Sequence, residues 1–329
     1  MTANTPRVTI GITAYNAAET VMRAVKSAQA QDWSDFEIIA VDDCSTDNTF
    51  AVLQKAAEEI PVLKIFRQAR NGGVAQARNR ILAEAQGSFV TFFDDDDESA
   101  PIRVRSQLQT ILAYEAALSD GAPVICHTAR RQIFPDGSEH VEAALGDTRI
   151  DGIAAHGPAV ARRILLGEAV DHAYGACATC SQMARRSTYV SIGGFDDGLR
   201  RSEDTDLNIR LALAGAHFLG IAEPLVTQYM TPGWDKSFAS ECNNMLKVLE
   251  KQRAFIDENG SYNFAVEWLK LKFRMQEGGR IAFLRGLLPL AFRYPLRTAH
   301  RLRMASPRVG GASTLHRFRR NLENDAYKA

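Results

Sequence analysis

Phe89-Val90-Thr91-Phe92-Phe93-Asp94-Asp95-Asp96-Asp97 is an apolar run that stops against four consecutive carboxylates. A short apolar and β-branched run reads as a buried strand, and four acids at its end repel one another unless a cation sits among them. Ligands of open α/β sheets bind outside the carboxyl ends of the strands, so position and chemistry agree. A solvated acidic turn is the competing reading, because blocks of like charge are commonly exposed. The neighbouring segments decide between the two.

Towards the N-terminus, Arg7 to Thr13 is a β-branched run that ends at Tyr15-Asn16, a first strand leading into a turn. From Ala18, the positions Val21, Ala24, Val25 and Ala28 keep helical spacing. Phe36 to Val41 is a second strand that also ends in acids, Asp42 and Asp43. The N-cap residues of Ser45-Thr46-Asp47-Asn48-Thr49 then open a helix with Val52, Leu53, Ala56 and Ile60 inward, closed by Pro61. Val62 to Phe66 is a third strand, Asn71-Gly72-Gly73 a turn, and Val74 to Ala85 a helix. Strands alternating with helices of this length imply an α/β fold: a parallel sheet, helices on both faces and a ligand at the carboxyl edge. Both acidic clusters lie on that edge, which favours the ligand-site reading. Neither a G-x-G-x-x-G dinucleotide fingerprint nor a P-loop follows any strand.

Beyond Pro101, a helix with Val104, Leu108, Ile111 and Leu112 inward leads to a strand at Pro123 to His127. The stretch from Gln132 to Arg163 is uneven, with turn signals at Pro135-Asp136-Gly137 and Gly157-Pro158, and reads as loops and short elements. After Gly193-Gly194-Phe195-Asp196, a helix carries Leu207, Leu211 and Ala214 on one face, with Glu203 and Asp204 in or just before its first turn. The helix dipole favours carboxylates there, so plain capping is the structural alternative to any catalytic role.

Formal net charge is zero over 329 residues, but residues 1–269 carry 25 Lys+Arg against 36 Asp+Glu, while residues 270–320 carry 13 Lys+Arg against the single acid Glu277. In that basic segment the cations are interleaved with Phe283, Leu284, Leu287, Leu288, Leu290, Phe292, Leu296 and Leu302. Basic amphipathic helices of this kind lie on anionic membrane surfaces or pack on a partner. No recognition motif for nucleic acid accompanies the segment, and the acidic body would repel a phosphate backbone. Five scattered cysteines do not form a disulfide framework. Cys177-Ala178-Thr179-Cys180 lacks the second ligand pair of a structural zinc site. With no signal-peptide pattern and no membrane-spanning apolar window, the expectation is a cytoplasmic protein, peripheral at the inner face of the membrane through residues 270–320.

The motifs taken together resemble the inverting glycosyltransferases of family 2. They are Val8 to Asn16, Val41-Asp42-Asp43-Cys44-Ser45-Thr46-Asp47, Asn71-Gly72-Gly73, Ala77-Arg78-Asn79, Phe93 to Asp97, Gly193 to Asp196 and Glu203-Asp204, spread over residues 8–230. The resemblance implies a GT-A fold: a Rossmann-like, mostly parallel sheet flanked by helices in residues 1–230, with residues 231–329 left as a mostly helical, basic extension. It implies an enzyme that moves a sugar from a nucleotide-diphosphate sugar, expected to be a UDP-sugar, to a hydroxyl of a glycan or lipid-linked acceptor. A non-catalytic nucleotide-sugar binder on the same fold is the alternative. Asp94-x-Asp96 resembles the family's D-x-D motif, which assigns a Mg or Mn ion to Asp96 and the donor's ribose to Asp94; four aspartates leave this open by one position. Thr13, Tyr15, Asp43, Arg78 and Asp95 join Asp94 on the donor side, with Asp43 on the base. Asp204 resembles the catalytic base. Glu203, His172, Trp234 and Lys236 are candidate acceptor or loop contacts. Phosphoryl transfer from Asp94 is disfavoured because Glu98-Ser99 follows the acids where an aspartate phosphatase would carry Thr or Val.

Overall fold

The computed structural model describes residues 6–146, 152–171, 173, 175–230 and 238–304. The first half is regular: β1 (Val8–Ala14), α1 (Val21–Gln29), β2 (Phe36–Asp42), α2 (Thr49–Glu59), β3 (Leu63–Arg67), α3 (Val74–Glu84) and β4 (Phe89–Asp94). β5 (Glu98–Ser99), α4 (Arg103–Ala117), β6 (Val124–Ile133), β7 (Glu139–Glu142) and α5 (Gly157–Leu166) follow. Next come β8 (Gln182–Arg185), α6 (Arg186–Ser191), α7 (Glu203–Leu213) and β9 (His217–Tyr229). Four helices close the described chain: α8 (Phe238–Lys251), α9 (Arg253–Asn259), α10 (Tyr262–Arg293) and α11 (Pro295–Met304).

The strands form one sheet in the order β3-β2-β1-β4-β8-β6-β9-β5, with β7 paired to β6. β3, β2, β1 and β4 run parallel, as do β6 and β9, while β8 lies antiparallel between β4 and β6. Successive residues point to opposite faces, and the two faces hold separate cores. Ile39, Val41, Val90 and Phe92 pack with α3, α5 and α7 on one side. Ile38, Ala40, Phe89 and Phe93 pack with α1, α2 and α4 on the other. Burial on both faces is why these strands read as continuous apolar runs. At Gly11 a Cβ would lie 2.5 Å from Cγ2 of Ile81, so the missing side chain lets α3 approach β1.

The uneven middle contains more order than its sequence pattern suggests. Pro135-Asp136-Gly137 is the tight turn of the β6–β7 hairpin, closed by the Phe134 amide donating to the Ser138 carbonyl at 2.9 Å. β7 is half-exposed and polar, which hides it from a hydrophobic pattern. Gly157-Pro158 opens α5 instead of a loop, because proline is well suited to a first helical turn whose N–H groups have no intrahelical partner. In the extension, Val248 and Leu249 of α8, Ile256 of α9 and Ala265 of α10 join the same core as α5 and α7. Lys251 pairs with Asp206 at 2.6 Å, tying α8 to α7.

Glu37 of β2 ties the amino edge together. Its side chain is 1% exposed and accepts from Thr9 Oγ1 (2.8 Å), Lys64 Nζ (2.9 Å) and the amides of Gln86 (2.7 Å) and Gly87 (3.2 Å). Burial opposes the charge, but these donors outweigh it and hold the pKa below 4.5. Such a group stabilises the fold above its unfolded pKa, and the contribution is lost as pH falls through the depressed folded value. Glu37→Gln is therefore expected to cost about 1.5–3 kcal/mol at pH 7. Urea midpoints of the two proteins should converge as the pH is lowered below 4.5. A constant difference at all pH values would exclude this role.

Candidate active site

Strand register brings the acidic ends together. Ala14 stands beside Asp42, and Thr13 beside Asp94, so the tips of β1, β2 and β4 form one rim. Asp42 is buried and structural: it pairs with Arg67 at 3.1 Å and accepts from the Ser45 amide. Asp43 is also buried, at 4% exposure. Its Oδ1 accepts from the Gly72 amide (2.8 Å) and its Oδ2 from the Gly73 amide (2.7 Å), which holds the Asn71-Gly72-Gly73 turn beneath the rim. Gly73 has φ +88° as it enters α3, a conformation that favours glycine. Tyr15 is exposed at the rim, and its amide donates to Asp95 Oδ2 at 2.9 Å.

Arg78 connects this rim to the second half of the chain. Its side chain is 5% exposed, with Nη2 3.2 Å from Asp94 Oδ1 and Nη1 2.7 Å from Glu203 Oε1. Burial opposes the guanidinium charge, but Asp94, Glu203 and Asp204 outweigh it and raise its pKa. The next residue on α3, Asn79, clamps the Gly193-Gly194-Phe195 turn. It donates to the Phe195 carbonyl and accepts from the Phe195 amide, both at 2.8 Å. Gly194 has φ +72°, and a Cβ there would lie 2.5 Å from Asn79 Oδ1. The Arg78 guanidinium stands 5.4 Å above the Phe195 ring. Arg200 bonds Asn71 Oδ1 at 2.7 Å, so the segment entering α7 lies against the start of α3. Glu203 and Asp204 open α7 as expected; no side chain caps the helix at Ser202, and Asp204 Oδ1 accepts from the adjacent Thr205 amide at 2.6 Å.

The four aspartates differ in their surroundings. Asp94, Asp95 and Asp96 are half-buried, and Asp97 is buried at 3% exposure. Burial, with the charges of Asp96 and Asp94, pushes Asp95 up to about 7. Burial and the charges of Asp94 and Asp96 raise Asp97 well above the ordinary range, against the opposing pull of Arg130 and the Tyr229 amide. Neither Asp97 oxygen has a well-formed hydrogen bond. Ligand atoms of Asp94, Asp97 and Cys180 lie within 4.8 Å of one another. Hard carboxylate oxygens fit Mg or Mn, whereas a buried thiol whose pKa is raised by burial does not. The residues present thus fit an oxygen-liganded divalent cation among the aspartates. Asp96, to which the family resemblance assigns the ion, is outside that three-residue cluster.

Two buried arginines back the acids and were not singled out from the sequence. Arg103 donates to Ser99 Oγ (2.8 Å), Thr91 Oγ1 (3.0 Å), Gln107 Oε1 (3.1 Å) and the Phe92 carbonyl (3.1 Å). Burial pushes its pKa down to about 10. Arg130 donates to Gln228 Oε1 at 2.8 Å. Burial opposes its charge, yet Cys180, Glu142, Asp97 and Asp204 outweigh it and raise its pKa. Arg130, placed with Arg131 directly after the run Val124 to Ala129 and within the same strand, is the signal that could have found it. His172, Trp234 and Lys236 lie outside the described residues.

Residues 9–185 match the family model described as Glycosyl transferase family 2. The chain belongs to that family. Curated relatives of this family 2 chain include the succinoglycan biosynthesis protein ExoO of Rhizobium meliloti, 38% identical over 104 residues, 32% of this chain and 29% of that protein. Another is the putative teichuronic acid biosynthesis glycosyltransferase TuaG of Bacillus subtilis, 34% identical over 119 residues, 36% of this chain and 47% of that protein. The matches span between about a third and a half of these relatives. Among solved structures, S. aureus TarS 1-349 in complex with UDP superposes with a TM-score of 0.57 at 17% identity, covering 82% of this chain and 71% of that one. The mannosyltransferase PcManGT from Pyrobaculum calidifontis, in complex with GDP-Man and Mn2+, gives 0.55 at 19% identity, covering 99% and 87%. The fold is that of the GT-A glycosyltransferases.

Arg78 compensates two carboxylates at once, so removing it leaves both short of a partner. Arg78→Met is expected to lower stability by about 3–5 kcal/mol. Adding Glu203→Gln should restore part of that loss. A loss under about 1 kcal/mol in urea unfolding would place the pair among weak surface bridges.

Proposed function

We propose that this chain is an inverting glycosyltransferase that moves a sugar from a UDP-sugar to an acceptor hydroxyl in glycan assembly. The observation that carries this reading is the convergence of two acidic groups through Arg78: Asp94 at the tip of β4, and Glu203 beside Asp204 at the start of α7. The family and the GT-A fold support it, as does the UDP in the TarS complex.

On the donor side, Thr13 and Tyr15 would flank the base, and Asp43 would accept the uracil ring N–H beside the amides it already holds. Asp94 and Asp95 would face the donor's ribose and diphosphate, with Arg78 fixing the Asp94 carboxylate. Asp96 would hold a Mg or Mn ion, or, one position along, Asp97, whose oxygens cluster with those of Asp94. When bound, such a cation supplies Lewis-acid stabilisation of charge on the departing diphosphate. Across the sugar, Asp204 would accept the proton of the acceptor hydroxyl as that oxygen bonds to the anomeric carbon and the bond to the diphosphate breaks. Attack opposite the leaving group inverts the anomeric centre without a covalent intermediate. Glu203, engaged by Arg78, orients the loop. Residues 1–230 would carry this site, and residues 231–329 would form an extension that meets an anionic membrane surface through residues 270–320.

Asp204→Asn separates transfer from mere binding. Transfer is expected to fall by about 10²–10⁴-fold, the usual contribution of a general base. Manganese-dependent thermal stabilisation by UDP should persist, at about 2.7 kcal/mol for ligand at 100 times its Kd. Undiminished transfer would remove Asp204 from the mechanism. A chain that binds UDP but transfers no sugar, with or without the substitution, would be the non-catalytic binder.

A further inference from the structure

α10 bends at Gly279, where φ is +74°, and its second half packs back on the first: Phe283, Leu287 and Leu290 meet Phe264, Trp268 and Leu271. That inner row follows helical spacing. A second apolar row, Ile281, Leu284, Leu288 and Phe292, follows the same spacing on the outside and continues to Leu296 of α11. These side chains are exposed, Leu288 by 73% and Phe292 by 92%. Apolar on two faces, this helix has one face that no other described residue covers. Cations flank the outer row: residues 280–304 contain six arginines and no Asp or Glu. Arg280, Arg285, Arg293, Arg297 and Arg303 are exposed.

At the base of this face a cavity of about 470 Å³ opens between the end of α5 and α10–α11. Leu165, Leu166, Ala265 and Leu296 give it an apolar wall, and Arg297, His300 and Arg301 line its other side. Arg297 donates to the Gly260 carbonyl at 2.9 Å. The Arg301 guanidinium lies 5.4 Å over the Trp268 ring. Among the described residues no carboxylate pairs with Arg301. Glu168 also lines the cavity but is engaged by Arg162 at 3.1 Å. Burial and the nearby Arg163 push Arg301 down to about 10. An apolar cavity with a guanidinium at its edge suits an amphiphile with an anionic head.

We infer that the outer face of α10 and α11 docks on an anionic phospholipid bilayer, with one lipid phosphate seated between Arg297 and Arg301 at the mouth of the cavity. This deepens the membrane contact proposed above and is independent of the transfer chemistry. Charge complementarity selects the occupant: the arginines suit lipid phosphates, and the apolar row suits insertion at the headgroup boundary. Among the described residues no helix is long and apolar enough to cross a membrane.

Flotation of the full chain with vesicles tests the site. At low salt it should float with vesicles containing phosphatidylglycerol and stay behind with phosphatidylcholine alone, and high salt should release it. Arg297→Gln and Arg301→Gln should each weaken binding about fivefold, the effect of about 1 kcal/mol per cation near the surface. Leu288→Asp with Phe292→Asp, at exposed positions that leave the inner row intact, should abolish flotation. Equal binding to both vesicle types, or wild-type flotation by the double aspartate variant, would overturn the proposal. A self-association that the aspartates disrupt, without vesicle binding, would assign the face to a second copy and overturn it too. UDP-dependent melting of the same samples keeps the outcomes separate, because a retained nucleotide shift leaves the transfer reading standing when flotation fails.

Discussion

One buried guanidinium holds the two halves of the candidate site in register. Arg78 reaches Asp94, sixteen residues ahead on β4, and Glu203, 125 residues ahead on α7. Taking a guanidinium and two carboxylates out of water is unfavourable, and such clusters contribute little net stability compared with apolar packing. What the cluster supplies is geometry. With Asp94 and Glu203 on the same cation, Asp204 cannot move far from the β4 tip without stranding a charge. Asn79 adds a second tether one residue along α3, through the Gly193-Gly194-Phe195 turn.

Charge around this centre is distributed unevenly. Asp97 is buried and Asp95 half-buried where their ionised forms are disfavoured, while the buried Arg103 of α4 and Arg130 of β6 bring positive charge to the same region. The arginines limit the repulsion but leave the Asp97 oxygens without well-formed hydrogen bonds. A rim with excess negative charge and fixed positive backing is suited to receive a cation together with a diphosphate. Residues 270–320 have the opposite balance, 13 Lys+Arg against one acid.

The parallel half of the sheet was legible because its determinants are local. β1, β2 and β4 are buried on both faces and read as unbroken apolar runs, and the acids Asp42-Asp43 and Asp94 to Asp97 mark their carboxyl ends. Asp204 was legible as an acid at a helix start. The hairpin at Pro135 to Gly137 and the helix begun by Pro158 were not, because proline and glycine mark turns and helix starts alike. The distinct position of Asp97, and the roles of Arg103 and Arg130, depend on partners tens of residues away. No spacing rule links Arg130 to Asp97 or Asn79 to Phe195; only the folded sheet does.

In the proposed reaction the attacking hydroxyl and the departing diphosphate would lie on opposite sides of the sugar, with Asp204 on one side and the aspartate rim on the other. Proton NMR of the first-formed product, from a donor of known anomeric configuration, tests that arrangement most directly. The coupling constant at the anomeric proton should report inversion, an α-linked UDP-sugar giving a β-linked product. A product that retains the donor's configuration would contradict the opposed geometry on which the mechanism rests.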